Sequence, residues 1–540
     1  MNAIVIICIG KAHQQFYQIS KPTIEAYARK VGAELIEITE QTTNTISPHF
    51  EKFQIYDLLI KYQRILYLDI DLIIRDDCPN LFELVPEDKI GLFDESPHKN
   101  HIRHMVEASQ TYKIKIEKDY DGSYYNTGVF ILSRMHRDLF QPPTIQSIHN
   151  HQDQSYLNLK IQQTHTRVHK LHHRLNRTPI VDETTGDHRL NAHIIHYAGI
   201  LQNAQRVMHN DLQRWKQGET QIQPKAILAI GARLGDITCA EPIIRYLATK
   251  QYPEYEITIL SNQPRIFAHL GQRATLATFE GHKRDPDQAY LIKNIMLPQE
   301  HPIWQYMTAN NMHTVDWMAI NCLKHTLPDQ DKQIQLAASP QGNQEIDEIF
   351  IQYGYKPEET ILIHPGRSWA SKTFPARYWN KIINGLIKKG HKPVIIGKDI
   401  TEKIQGKKLP NLGTVEGLEI PENTPDLRNL LSIDSLISII SRAPILISND
   451  SAPIHIAGAF NNHIILIPTC KHPDFILPWR NGSKYHKAQA LYNQPMWEAP
   501  CKSPQNTLNY ELETIPEGHN ILEYLPDPSK IIKTAEEITK

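Results

Sequence analysis

The stretch Arg64-Ile65-Leu66-Tyr67-Leu68-Asp69-Ile70-Asp71 decides how the first half of this chain is read. Its apolar run reads as a buried strand, and it ends in two aspartates separated by one residue. Alternate strand residues point the same way, so Asp69 and Asp71 project together at the strand's exit. Carboxylates held side by side repel each other unless positive charge lies between them. A hard divalent cation with oxygen ligands relieves that repulsion, and such ions commonly hold substrate phosphates as well. Two solvated acids at a strand end are the plainer reading. That reading suits a lone Asp better than an Asp-x-Asp closing a buried run.

Around this stretch, strand and helix signals alternate. Ala3 to Ile9 reads as a strand, Lys21 to Val31 as a helix entered through Pro22, Ala33 to Ile38 as a second strand, and Phe53 to Tyr62 as a helix. Such alternation predicts crossover units and a mainly parallel sheet. Ligands on these sheets sit at the carboxyl ends of the strands, where Cys8, Ile9, Gly10, Asp69 and Asp71 fall. Gly10, with no side chain, would let a flat base approach the backbone, making it a donor-binding candidate.

Composition fits an enzyme of several domains. The 540 residues correspond to roughly three to four domains of ordinary size. The net charge of −1 gives no global field that would draw the chain to nucleic acid or to an anionic membrane. The longest apolar runs, Ala3 to Ile9 and Ala443 to Ile447, are far too short to span a bilayer. Met-Asn-Ala leads straight into a strand, with neither a basic segment nor a cleavage site of a signal peptide. Six scattered cysteines, Cys8, Cys78, Cys239, Cys322, Cys470 and Cys501, read as single buried thiols in a reducing compartment. These features predict a cytoplasmic protein, with peripheral association at the inner membrane left open. His165, His169, His172 and His173 lie at near-helical spacing, which suggests a shared face. With 28 histidines in the chain, a solvated face is favoured there over a metal site.

Downstream of the Asp-x-Asp lie Tyr125-Asn126-Thr127-Gly128 opening a strand, Asp153-Gln154 opening a helix, and His196-Tyr197-Ala198-Gly199. With these pieces in this order, about residues 1 to 205 resemble the retaining glycosyltransferases of family 8, the glycogenin-like and galactosyltransferase-like enzymes of GT-A fold. The resemblance implies that Asp69, Asp71 and His196 hold a divalent cation, Mn²⁺ or Mg²⁺. It implies that Asn126 contacts a UDP-sugar-like donor and that Asp153 is catalytic.

The polar stretch from 209 to 224 reads as a domain boundary. A strand, Lys225 to Ile230, follows and leads through Gly231-Ala232-Arg233-Leu234-Gly235-Asp236 into a helix. Backbone N–H groups at such a turn suit an anion or a sugar. The turn is neither a P-loop nor a G-x-G-x-x-G, which argues against ATP hydrolysis and a dinucleotide cofactor. Further on, Thr360-Ile361-Leu362-Ile363 ends in His364-Pro365-Gly366-Arg367, and Lys372 and Pro375 follow. Pro444 to Ala459, with Asn449-Asp450-Ser451-Ala452-Pro453-Ile454-His455 at its centre, reads as strand, tight polar turn and helix, capped by Ser451 or Asp450.

About residues 224 to 485 resemble glycosyltransferase family 9, the ADP-heptose heptosyltransferases of GT-B fold. Ala452 stands where that family usually has Gly. The resemblance implies that Asp450, Ser451, Ala452 and His455 hold the diphosphate of an ADP-heptose-like donor. It implies that Lys372 offsets the leaving group's charge, that Asp236 is the base of an inverting transfer, and that no cofactor is needed.

The whole chain is thus expected to be α/β. A GT-A domain over 1–215, with a mixed, mainly parallel sheet, is followed by two Rossmann-like GT-B lobes over 224–345 (acceptor) and 346–540 (donor). The expected function is sugar transfer from nucleotide sugars to a glycan, lipid-linked or protein acceptor in bacterial surface glycan synthesis or protein glycosylation. Two alternatives stay open: one live module beside an acceptor-binding one, and a carbohydrate- or nucleotide-binding scaffold without catalysis.

Overall fold

The structure is a computed structural model. It describes residues 1–41, 47–144, 152–199, 203–296, 312–367, 374–398, 417–468, 471–498 and 523–540, with short pieces between 403 and 415. The chain divides into two compact units: Met1–Lys225 with Arg284–Ile292, and Ala226–Lys283 with Lys293–Lys540. The short segment Arg284–Ile292 thus belongs to the first unit despite its place in the sequence. Its Asp287 carboxylate accepts from Arg189 and Arg214.

The first unit is built on strands β1 (Asn2–Ile7), β2 (Glu34–Ile38), β3 (Arg64–Leu68), β4 (Leu72–Ile74), β5 (Ile90–Asp94), β6 (Tyr125–Ser133), β7 (Val168–Lys170) and β8 (Ile194–His196). Six of them form a sheet in the order β2-β1-β3-β6-β5-β7, while β4 and β8 pair separately. The β1–β2, β1–β3 and β5–β7 pairs are parallel, and β6 runs antiparallel to both β3 and β5. Alternate residues feed two cores. Ala3, Val5, Ile65 and Tyr67 enter one, and Ile4, Ile6, Leu66 and Leu68 the other. Each buried Val, Ile or Leu among them contributes on the order of 1.5–3 kcal/mol by leaving water. This two-sided burial is why the run before Asp69 is continuously apolar.

Two expectations from the sequence are corrected here. The first long helix spans Lys11–Val31, not Lys21 onward, and Pro22 lies inside it. Gly10, at φ 90°, turns the chain directly from β1 into the helix. Pro22 removes one helical hydrogen bond, a cost of about 3 kcal/mol in a free helix. Burial of Tyr17, Ile24 and Tyr27 on either side of it offsets that cost. The four histidines do not share a helical face either. The helix Gln152–Gln163 has ended before His165, whose φ is 49°, His169 lies in β7, and His172 and His173 start a 3-10 turn. The pairing of β7 with β5 overrides the helical spacing.

In the second unit, a four-stranded sheet has the order Ala274–Ala277, Glu256–Ser261, Lys225–Ile230, Leu291–Asn294. A five-stranded sheet has the order Lys392–Ile395, Thr360–His364, Ile445–Asn449, His463–Ile467, Ala488–Ala490, and all its pairs are parallel. The chain closes with the helix Pro528–Thr539. Among the described residues, Cys8, Cys78, Cys239 and Cys322 are buried free thiols, and no helix is long and apolar enough to cross a membrane. Lys372, Cys470 and Cys501 lie outside the described residues.

Candidate functional site

Strand pairing assembles the site of the first unit. In the β3–β6 register Leu68 faces Val129, and the Asp69 N–H donates to the Gly128 carbonyl at 2.7 Å. In the β4–β8 register Leu72 faces His196, and the Tyr197 N–H donates to the Asp71 carbonyl at 2.8 Å. The Asp69–Asp71 pair and His196, distant in sequence, therefore converge. His196 Nε2 lies 3.6 Å from Asp69 Oδ2 and 3.4 Å from Asp71 Oδ1. One ligand atom from each residue falls within 4.8 Å of the others, the only such group of possible metal ligands among the described residues. A Cβ on Gly128 would stand 2.1 Å from His196 Cε1 and 2.6 Å from Asp69 Oδ2, so the imidazole fills the space a side chain would take.

This donor set fits a divalent cation such as Mn²⁺ or Mg²⁺. Two carboxylates and one imidazole nitrogen face a common point, and the carboxylates are partly open to solvent while His196 is buried. The charges are already strongly coupled. Burial opposes ionisation of both His196 and Asp71. Their mutual attraction wins, so the imidazole sits above its usual range and Asp71 below its own.

Behind the carboxylates lies a buried ion pair that the sequence does not announce. Lys52 Nζ is 2.8 Å from Asp153 Oδ2, and both side chains are almost fully buried. Lys52 also lies over the Tyr67 ring at 5.0 Å, and the Tyr67 hydroxyl donates to Asp69 Oδ1 at 2.7 Å. Burial disfavours charge on Lys52, but Asp153, then Asp69 and Asp71, hold it protonated. Asp153 stays ionised for the matching reason, with Lys52 outweighing its burial. Lys52 comes from a 3-10 turn, Pro48–Gln54, between the buried Phe50 and Phe53. A lone lysine there carries no periodic signal.

Asn126 is 6% exposed, and three hydrogen bonds within the protein hold its amide. It donates to Glu95 Oε1 at 3.0 Å, and its oxygen accepts from the Gly128 N–H and from Asn176 Nδ2, each at 2.9 Å. Neither Glu95 nor Asn176 lies in a motif visible in the sequence. Gly10 stands at the first strand end, and a Cβ there would meet nothing within 4 Å. Its positive φ, rather than crowding, is what requires glycine.

The second unit brings another set together. The helix Leu234–Tyr246 carries Asp236 in its first turn. A Cβ on Gly235 would lie 3.2 Å from His455 Cδ2 and 3.6 Å from the Ala452 Cα, so this turn packs directly on the Asp450–His455 segment. Ser451 is the N-cap of the helix Ala452–Ala457 but makes no side-chain cap bond. Its hydroxyl instead meets His364 Nδ1 at 2.9 Å and the Ser448 hydroxyl at 3.1 Å. Burial alone pulls the His364 imidazole down to about 4, leaving it neutral at pH 7. His455 Nδ1 lies 3.3 Å from Cys239 Sγ. Burial pushes that thiol well above its usual range, and Asp236 and Asp450 add to the effect. Sequence reasoning assigned no role to His364 or Cys239. His364 closes a quoted strand, while Cys239 stands one helical turn after Asp236.

Residues 9–202 match Glycosyl transferase family 8, and residues 278–509 match Glycosyltransferase family 9 (heptosyltransferase). The protein is a two-module glycosyltransferase, each module matching one of these families. Among solved structures, a family 9 glycosyltransferase from Veillonella parvula is 15% identical, with 58% of this chain and 96% of that chain covered at a TM-score of 0.41. The ADP-heptose lps heptosyltransferase II of E. coli is 14% identical, covering 58% and 99% at a TM-score of 0.35. A glycosyltransferase involved in glycosylation of the major capsid of PBCV-1 is 14% identical, covering 38% and 99% at a TM-score of 0.27. No curated protein matches the chain.

Proposed function

We propose that both modules transfer sugar. The family 8 module would do so with retention and a divalent cation. The family 9 module would do so with inversion and without one. The observation that carries this reading is the convergence of the Asp69, Asp71 and His196 ligand atoms to within 4.8 Å of one another, beside the β3–β6 and β4–β8 pairings. A Mn²⁺ or Mg²⁺ ion held there supplies charge neutralisation for the diphosphate of a UDP-sugar-like donor. Lys52 adds a fixed positive charge beside Asp69 and keeps Asp153 ionised in a nearly dry setting, where its carboxylate can support positive charge developing on the donor sugar. Gly10 leaves the first strand end open to the nucleotide base.

In the family 9 module, the backbone N–H groups from Ser451 onward would receive the diphosphate of an ADP-heptose-like donor. Ala452–Ala457 has only six residues, so local N–H donation matters there more than a helix dipole. Asp236 would take the proton of the acceptor hydroxyl, and Lys372 would offset the leaving group's charge. The packing of Gly235 against Ala452 and His455 supports this division of roles, because it sets the base's turn beside the donor's turn. The product would be a bacterial surface glycan or a glycosylated protein made in the cytoplasm or at the inner membrane. The acceptor would be a glycan, a lipid-linked sugar or a protein.

The test offers the full chain a panel of nucleotide sugars and measures donor hydrolysis and transfer with and without EDTA. Two activities with different donors, only one of them sensitive to chelation, are expected. A single activity would mean that one module only binds acceptor. No turnover with any donor would favour a binding scaffold.

A further inference from the structure

Behind His196 runs a line of buried amides whose orientations follow from one fixed donor. The Gly128 backbone N–H can only donate, and it meets the Asn126 side chain at 2.9 Å. The Asn126 atom facing it is therefore Oδ1. That leaves Asn126 Nδ2 pointing at Glu95, whose carboxyl oxygen accepts at 3.0 Å. The Asn176 atom 2.9 Å from Asn126 Oδ1 must then be its Nδ2. Asn176 Oδ1 consequently faces His196 Nδ1, also at 2.9 Å. An amide oxygen only accepts, so the proton on that side of the ring is on Nδ1. Nε2, on the side of Asp69 and Asp71, is then the ring nitrogen left to give its lone pair to a cation bound there.

We infer that Glu95, Asn126 and Asn176 form a positioning relay that fixes His196 as an Nε2 metal ligand. Asn126 thus serves the cation site through Asn176. This inference rests on the reading that Asp69, Asp71 and His196 hold a divalent cation. All three relay residues are buried, at 6%, 6% and 0% exposure, so water does not compete for their bonds. The relay is anchored at each end. Gly128 cannot carry a side chain without striking His196, and Glu95 lies 3.5 Å from the buried His101. A ligating imidazole whose second nitrogen is held in this way is pre-oriented. Loss of such a partner typically weakens metal binding about 10- to 100-fold.

The test measures Mn²⁺ affinity of the full chain by calorimetry, and imidazole coordination by the nitrogen modulation of the Mn²⁺ spin echo. Asn176→Leu removes both bonds at similar volume, and Asn176→Asp keeps an oxygen for the Nδ1 proton. Asn176→Leu should bind Mn²⁺ about 10- to 100-fold more weakly and lose the nitrogen modulation. Asn176→Asp should stay nearer wild type in both. If Asn176→Leu does not fold, Glu95→Leu serves in its place. It takes the acceptor from Asn126 Nδ2, loosens that amide, and should weaken Mn²⁺ in the same direction. Wild-type affinity and modulation in Asn176→Leu or in a folded Glu95→Leu would overturn the relay. So would equal losses in Asn176→Leu and Asn176→Asp. Asp71→Ala separates the two ideas. If wild type binds Mn²⁺, Asp71→Ala does not, and the relay variants bind normally, the relay alone is wrong. If wild type binds no Mn²⁺, the cation site falls and the relay with it.

Discussion

The two modules treat charge in opposite ways. In the family 8 module, Asp69, Asp71, Asp153 and Glu95 crowd around Lys52 and His196, with Lys52 and His196 themselves buried. In the family 9 module, the groups packed under the Asp450–His455 turn include His364, neutral at pH 7, with two serine hydroxyls, and His455 beside the Cys239 thiol. The first arrangement has more negative than positive side chains and would be completed by an added cation. The second, on the proposed reading, would rely on backbone N–H groups at a turn held by side-chain hydrogen bonds. Nucleotide-sugar chemistry must neutralise a leaving diphosphate. On the proposed reading these two sites would be two physical routes to that end.

The contrast breaks most visibly at Asp71. Asp71→Ala should abolish Mn²⁺-dependent donor turnover while leaving the second activity unchanged. Turnover of both donors measured in one preparation checks this, and loss of both activities would remove the distinction. Next in size, Asp236→Ala should lower the metal-independent turnover by about a hundredfold or more while donor affinity is kept, since the base acts on the acceptor. Steady-state rates beside calorimetric donor binding decide it, and full turnover would rule out Asp236 as base. A third effect is on stability. Lys52→Met leaves Asp153 buried and unpaired, which typically costs about 3–5 kcal/mol. Chemical denaturation of the full chain should show the family 8 transition moving while the family 9 transition stays in place.

The smallest effect is a pH dependence confined to the neutral site. His364 has its folded pKa lowered to about 4 from an ordinary 6.5. Between those values the unfolded chain binds the proton and the folded chain does not, so acid favours unfolding. Stability from this group is complete above about pH 6.5 and is lost as the pH falls through that window toward about 4. His364→Gln should flatten that part of the profile for the family 9 transition. An unchanged slope would show that His364 protonates without strain in the folded state.

The sequence alone carried the strand ending in Asp69 and Asp71, because a run buried on both sides of a sheet must be apolar throughout. It carried the Asp450–His455 turn as well, because a strand, a polar turn and a proline-led helix leave a local pattern. The start of the first helix was misread at Pro22. Burial of Tyr17, Ile24 and Tyr27 outweighs a local rule about proline, and burial is a property of the folded sheet. The histidine face from 165 to 173 failed for a similar reason, since strand pairing took precedence over helical spacing. Lys52, Glu95 and Asn176 left no trace at all. Each is an isolated polar residue whose role depends on a partner at least 20 residues away: Asp153, Asn126 and His196. Local pattern fixes which strands exist and where they end. Only strand order and register decide which distant side chains meet in a dry interior, where an unpaired charge or amide is costly enough to dictate its partner.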